Sequence, residues 1–157
     1  MTYDSSLVTA KDNQAMTPLH LACLNGHIKV VQVHSDLLSK GLCAKKNADG
    51  NTPLHLACAG GHIGVMELLI HNKADTMAAN KQKEMPLHIA VHYGHVPIAR
   101  FLLNQKVPTE CQTRKGHTPL HYAARKNNTD IIMLLVERYY IVTIELRTKA
   151  WLQIGVL

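Results

Sequence analysis

The chain has 157 residues, 46% of them apolar and 18% charged, a mix that suits one globular domain and excludes a disordered chain. Seventeen Lys and Arg against 11 Asp and Glu leave a formal net charge of +6, a dilute basic excess whose placement matters more than its size. A mean hydropathy of -0.05 without a long apolar run excludes a membrane-spanning helix; the polar opening from Met1 to Asp12 does not read as a signal peptide, and aromatics at 4% speak against a base-stacking surface.

In chain order, the first clear element starts at Thr17-Pro18-Leu19-His20-Leu21-Ala22. The same hexad returns as Thr52-Pro53-Leu54-His55-Leu56-Ala57, Met85-Pro86-Leu87-His88-Ile89-Ala90 and Thr118-Pro119-Leu120-His121-Tyr122-Ala123, with Pro-to-Pro steps of 35, 33 and 33 residues. Thr caps a helix and Pro occupies its first position, where a missing N–H costs nothing. Met85 replaces the capping Thr in unit three, which should cost about 1 kcal/mol. Gly26-His27, Gly61-His62 and Gly94-His95 then end the short first helix, and Asn127-Asn128 takes that place in unit four, since Asn tolerates a left-handed backbone.

A second helix follows in each unit. Its apolar spacing is plain in Val65, Met66, Leu68, Leu69 and Ile70, and again in Ile98, Ala99, Phe101, Leu102 and Leu103. Ile131, Ile132, Leu134, Leu135 and Val136 repeat it in unit four. Unit one is longer here: Gly26 to Gly41 spans 15 positions against 12 from Gly61 to Lys73, and Val33-His34-Ser35-Asp36 is the expected insertion. At the end of the second helix stand Lys73, Lys106 and Tyr139. Beyond it, Tyr139 to Ile144 is β-branched and aromatic, and Trp151-Leu152-Gln153-Ile154 falls where a fifth Thr-Pro-Leu-His would stand. One helix pair alone cannot bury its apolar residues, whereas stacked pairs share a continuous core.

This pattern resembles the ankyrin repeat, whose 33-residue unit carries the T-P-L-H-x-A signature. The resemblance implies an all-α solenoid of stacked helix-turn-helix units with short β-hairpin fingers. The expected array spans 1–138, with a partial N-terminal finger and repeats near 16–47, 51–80, 84–113 and 117–138. Residues 139–157 are expected to be a divergent apolar tail, an incomplete fifth repeat. The resemblance further implies that His20, His55, His88 and His121 brace the fingers by local hydrogen bonds.

The repeat absorbs most of the residues that could suggest chemistry. His88, His92 and His95 have metal-like spacing but lack the Glu and open geometry of an H-E-x-x-H site, so no metal site is expected. Gly60-Gly61-His62-Ile63-Gly64 lies at a helix–helix turn and not after a strand, so it is turn geometry and not a phosphate loop. No nucleophile–base pair is placed by the repeat, and neither catalytic residues nor a cofactor are expected. Cys23, Cys43, Cys58 and Cys111 lack CxxC spacing and read as reduced thiols of a cytoplasmic or nuclear protein. Cys23 and Cys58 share a slot with Val91 and Ala124, which marks it as small and buried. Cys43 and Cys111 lie near fingers, where exposure is open to either of them.

Positions that vary between units are free to encode a partner. In arrays of this kind they gather on a concave face of finger tips and first helices. The candidates are Leu24, Asn25, Asp49, Asn51, Lys81, His92, Tyr93, Arg114, Lys115, His117, Arg125 and Lys126. Units one and two carry only Asp49 among the charged residues of this face. Units three and four carry Lys81, Arg114, Lys115, Arg125 and Lys126 against Glu84, a net +4. The expected function is therefore non-catalytic protein binding, with a C-terminal half that favours acidic segments. One alternative is binding of anionic lipid head groups or nucleic acid by the same half, the latter disfavoured by sparse aromatics. Another is a structural segment of a longer scaffold, channel or signalling protein. A monomer is expected if the tail is covered.

Overall fold

The computed structural model describes residues 9–33 and 41–153, with side chains described as far as residue 145. Eight α-helices are found among the described residues: α1 Pro18–Leu24, α2 Ile28–Val33, α3 Pro53–Gly60, α4 Ile63–His71, α5 Pro86–Tyr93, α6 Val96–Asn104, α7 Pro119–Arg125 and α8 Thr129–Gln153. A 3-10 turn spans Leu42–Ala44. Each odd-numbered helix pairs with the even one that follows. The first helices stack in the order α1, α3, α5, α7 and the second helices as α2, α4, α6, α8, forming two parallel layers. The insertion expected at Val33-His34-Ser35-Asp36 lies largely outside the described residues; α2 is described only to Val33.

The core runs between these layers. Leu54, Leu87, Met66, Leu69, Ile98, Leu102 and Ile131 are all but sealed from solvent. Each such side chain contributes on the order of 1.5–3 kcal/mol by leaving water. Cys23 and Cys58 are fully buried, as their shared slot with Val91 predicts. All four thiols are free. Cys43 is buried as well, packed with Leu42 in the 3-10 turn, so only Cys111 is partly open.

The start of every first helix is built the same way. The backbone N–H of Thr17, Thr52, Met85 and Thr118 donates to Nδ1 of the His three residues on, at 3.1–3.2 Å. The Thr hydroxyls of units one, two and four lie 2.7–2.9 Å from the same nitrogen, and Met85 has no oxygen to offer there. With Nδ1 accepting, the imidazole proton sits on Nε2. From there His20 donates to the Lys45 carbonyl, His55 to the Glu84 carbonyl and His88 to the Cys111 carbonyl, each at 3.1 Å. These His thus tie each helix start to the following finger, the bracing role that the resemblance implied.

The helix–helix turns form a second inter-unit link. Gly26, Gly61 and Gly94 have φ between 74° and 79°, and Asn127 repeats the left-handed turn at 52°. His62 Nε2 reaches back to the Leu24 carbonyl at 3.0 Å, and His95 Nε2 to the Ala59 carbonyl at 3.1 Å. Each ring lies over the glycine of the preceding turn: a Cβ on Gly26 would meet the His62 ring at 2.5 Å, and one on Gly61 the His95 ring at 2.6 Å. Gly60 serves a different need, because a Cβ there would collide with the Leu24 carbonyl.

One expectation is corrected. The fingers are turns; no β-strand occurs among the described residues. Each closes on itself, with Asn47 N–H to the Asn51 carbonyl and Asn80 N–H to the Glu84 carbonyl at 3.0 Å. Neighbouring fingers are joined by one backbone bond per step: Ala48 N–H to Gln14, Lys81 N–H to Asp49 and Arg114 N–H to Gln82, at 2.8–2.9 Å. A single bond per step links the fingers without forming a ladder.

The described part of the tail, 139–153, is helical. Lys73 and Lys106 end their helices in the left-handed region, at φ 63° and 62°. At the equivalent Tyr139 the backbone stays helical, and α8 continues unbroken to Gln153. No Gly or Pro interrupts the sequence before Gly155, so each added residue gains a helical hydrogen bond. The β-branched composition of Tyr139–Ile144 yields to that continuity, because strand preference expresses itself only where a neighbouring strand is present to pack against.

Candidate partner-binding face

The inter-finger bonds and the stacked first helices hold the variable positions on one surface. Three cavities open on it, the smallest, of about 120 Å³, among His117, His121, Tyr122 and Arg125. Of the two larger ones, one, of about 320 Å³, is bounded by Asp49, Asn51, Lys81 and Tyr93 between units two and three. The other, of about 240 Å³, is bounded by Thr113, Lys115, His117, Tyr122 and Arg125 between units three and four. Gln82, Glu84 and His92 line both and form the wall between them. A larger cavity of about 650 Å³ lies elsewhere, among Cys43, Asn72 and Ala74 at the junction of units one and two.

Eight of the twelve sequence-chosen residues line these two cavities: Asp49, Asn51, Lys81, His92, Tyr93, Lys115, His117 and Arg125. The other four lie apart from them. Leu24 is half-buried and its carbonyl is taken by His62. Asn25 closes its own helix, its side chain donating to the Leu21 carbonyl at 3.0 Å. Arg114 and Lys126 are exposed outside the cavity walls.

The centre of the face is a residue that sequence reasoning left in the framework. Tyr122 stands where the other units carry Leu21, Leu56 and Ile89, and this departure was the available signal. Its hydroxyl donates to Glu84 Oε1 at 2.7 Å. Its ring meets the rings of His88, His92 and His117 edge-on, with centroids 5.6–6.0 Å apart. The Arg125 guanidinium lies over it, 5.1 Å from the centroid, in cation–π geometry. Glu84 Oε2 accepts from Asn80 Nδ2 at 2.8 Å, and the same amide donates to Asn51 Oδ1 at 2.9 Å. A hydrogen-bonded chain thus crosses units two, three and four: Asn51, Asn80, Glu84, Tyr122.

The electrostatics follow from this chain. Burial alone would raise the Glu84 carboxyl, but the hydrogen bonds from Asn80 and Tyr122 outweigh it and hold the group below its ordinary range. Burial and the neighbouring Glu84 push the Tyr122 hydroxyl up to about 12, so it remains a donor. Burial lowers His92, and the nearby Lys126 and Arg125 lower it further, which keeps it neutral near pH 7. His92 Nδ1 is buried without a hydrogen-bond partner among the described residues. Burial likewise lowers His20, His88 and His55, the last to about 4.

Burial raises every thiol, Cys23 to about 12 and Cys111 to about 11, which makes them poor nucleophiles. Among the described residues no group of three or more His, Cys, Asp or Glu is placed to hold a metal ion. No helix among them is long and apolar enough to cross a membrane.

Paired helices stacked in two layers, with neighbouring fingers joined by backbone hydrogen bonds, define a repeat solenoid. The family model for ankyrin repeats, which describes three copies, matches residues 4–80 and again 74–145. The chain therefore belongs to the ankyrin repeat family, a family of protein-interaction modules. A search of curated proteins finds no match to it.

Proposed function

We propose that this chain is a non-catalytic module that binds a protein partner on its finger-and-first-helix face, and that the half built from units three and four favours acidic segments. The observation that carries this reading is the state of the cations there. Arg114, Lys115, Arg125 and Lys126 are exposed, and no carboxylate among the described residues lies in ion-pair contact with them. The backbone links between fingers restrain the face before binding, so little entropy is lost on complex formation. The four free thiols suit a cytoplasmic or nuclear setting.

Affinity capture with the intact chain tests this reading. Charge reversal at Arg125 and Lys126 should abolish capture of partners that wild type retains, and should flatten their salt dependence. The matched control is Lys29 and Glu67, both exposed on second helices, where reversal should change little. If the control pair matters and the first pair does not, the partner docks on the helical back. A partner captured as lipid or nucleic acid, with a steep loss in salt, would replace the protein reading with a phosphate-binding one.

A further inference from the structure

The cavity between units three and four contains a carboxylate, Glu84, beside two cations, Lys115 and Arg125, that it does not pair with. A free carboxylate at that wall would be the natural partner of the guanidinium. Here both its oxygens are taken by neutral donors, Oε1 by the Tyr122 hydroxyl and Oε2 by the Asn80 amide. Tyr122 performs a second task, since its ring carries the Arg125 guanidinium 5.1 Å above its centroid. One residue thus restrains the internal acid and positions the cation. A guanidinium held by a ring face keeps its N–H donors free for an incoming oxyanion.

We infer that this cavity is a subsite for a single acidic side chain of a peptide partner, with Arg125 and Lys115 receiving the carboxylate and Tyr122 acting as the positioning residue that keeps Glu84 from competing for them. The inference rests on the proposed binding face and names what its basic half recognises. A volume of about 240 Å³ suits one side-chain head, not a folded surface. The exposed Gln82 supplies a neutral polar group beside the charge. The adjoining cavity, with Asp49 and Asn51, lacks this paired-cation arrangement, so an extended peptide crossing both would meet the acid requirement at one end only.

The test is an amide-NMR titration of the full chain at low salt with acetyl-triglutamate amide and its triglutamine counterpart. The glutamate peptide should bind about tenfold tighter, the worth of one charge-assisted hydrogen bond, and shift the amides of 113–117 and of Tyr122 and Arg125. Arg125→Gln, at an exposed position, should erase the preference between the two peptides without altering the fold. Tyr122→Phe keeps the ring but frees Glu84, and should weaken the glutamate peptide by a comparable factor, about tenfold. Adding Glu84→Gln should restore binding in the Tyr122→Phe background by more than it improves wild type, a coupling that mere removal of negative charge does not give. Additive effects of the two changes, or an unaltered affinity in Tyr122→Phe, would overturn the positioning role while leaving the binding face intact. Equal affinity for both peptides with shifts at 113–125 would overturn the subsite and leave the face, whereas shifts confined to the second helices would overturn the proposed face as well. Binding of phosphatidylinositol-phosphate vesicles without peptide binding would show that the cations serve a membrane surface, and the inference would fall.

Discussion

Units two and four begin with the same Thr-Pro-Leu-His and meet different fates. Leu54 is fully buried, while its counterpart Leu120 is 39% exposed. His55 is sealed and donates to the Glu84 carbonyl; His121 is exposed and keeps only its local bonds to Thr118. Unit two ends its second helix at Lys73, whereas unit four runs on past Tyr139. The two units have near-identical motifs, so the motif does not by itself bury its own leucine or seat its own histidine. The following unit does both. Stability in such an array resides in the interfaces as much as in the repeats.

The most severe way to probe that contrast is cavity formation. Leu54→Ala and Leu87→Ala should each destabilise by about 2–5 kcal/mol, since both side chains are wholly enclosed. Leu120→Ala should cost under about 1 kcal/mol, as expected for a side chain still in contact with water. Urea denaturation of the three variants reads this directly. Equal losses would mean that Leu120 is covered in solution and that unit four is not an open end.

Acid should act next, through the histidines that stacking buries. The imidazole of His55 has an ordinary value of 6.5 and is lowered to about 4 in the folded chain, with burial the leading cause. The unfolded chain therefore binds the extra proton between these values. Stability is complete above pH 6.5 and falls as pH drops toward 4, by up to about 3 kcal/mol for this group. His20 and His88 are lowered as well and act in the same direction. Denaturation midpoints measured from pH 7.5 to pH 4.5 should fall steadily. In His55→Gln the slope should be shallower, and an unchanged slope would remove His55 from this account.

A finer comparison uses the helix–helix turns. Gly61→Ala and Gly94→Ala share a left-handed backbone cost of about 1–2 kcal/mol. Gly61 carries the added contact with the His95 ring at 2.6 Å, whereas Gly94 faces only the Asn128 side chain, at 3.3 Å. The Gly61 variant should therefore be the less stable of the two in thermal melts. The smallest effect should be a gain. Met85→Thr supplies the hydroxyl that units one, two and four place beside Nδ1, and should raise stability by about 1 kcal/mol in the same melts.

Much of this was legible in the residues. Hexads at steps of 35, 33 and 33 residues name the repeat, and their Pro marks every first-helix start to the residue. The Asn127 turn follows from the tolerance of Asn for φ near 52°. The buried Cys slot follows from its interchange with Val91 in the first three units, whereas Ala124, in the same place in unit four, is exposed. These readings succeed because they depend on local backbone chemistry and on periodic burial, which a sequence states directly.

Other features came only from the stacked structure. Tyr122 looks like a framework variant until Glu84, 38 positions earlier, is brought to 2.7 Å from its hydroxyl. Lys115 and Arg125 look alike as charges until one is placed over a ring and both line one cavity. The fate of Tyr139–Ile144 reversed its local propensity, because no breaker ended α8 and no neighbouring strand existed to favour extension. By itself the sequence determined what each unit is, since capping, turns and periodicity act within about 30 residues. Tertiary structure alone decided which side chains meet across units, because those contacts depend on the stacking offset between repeats, a distance that no spacing along the chain encodes.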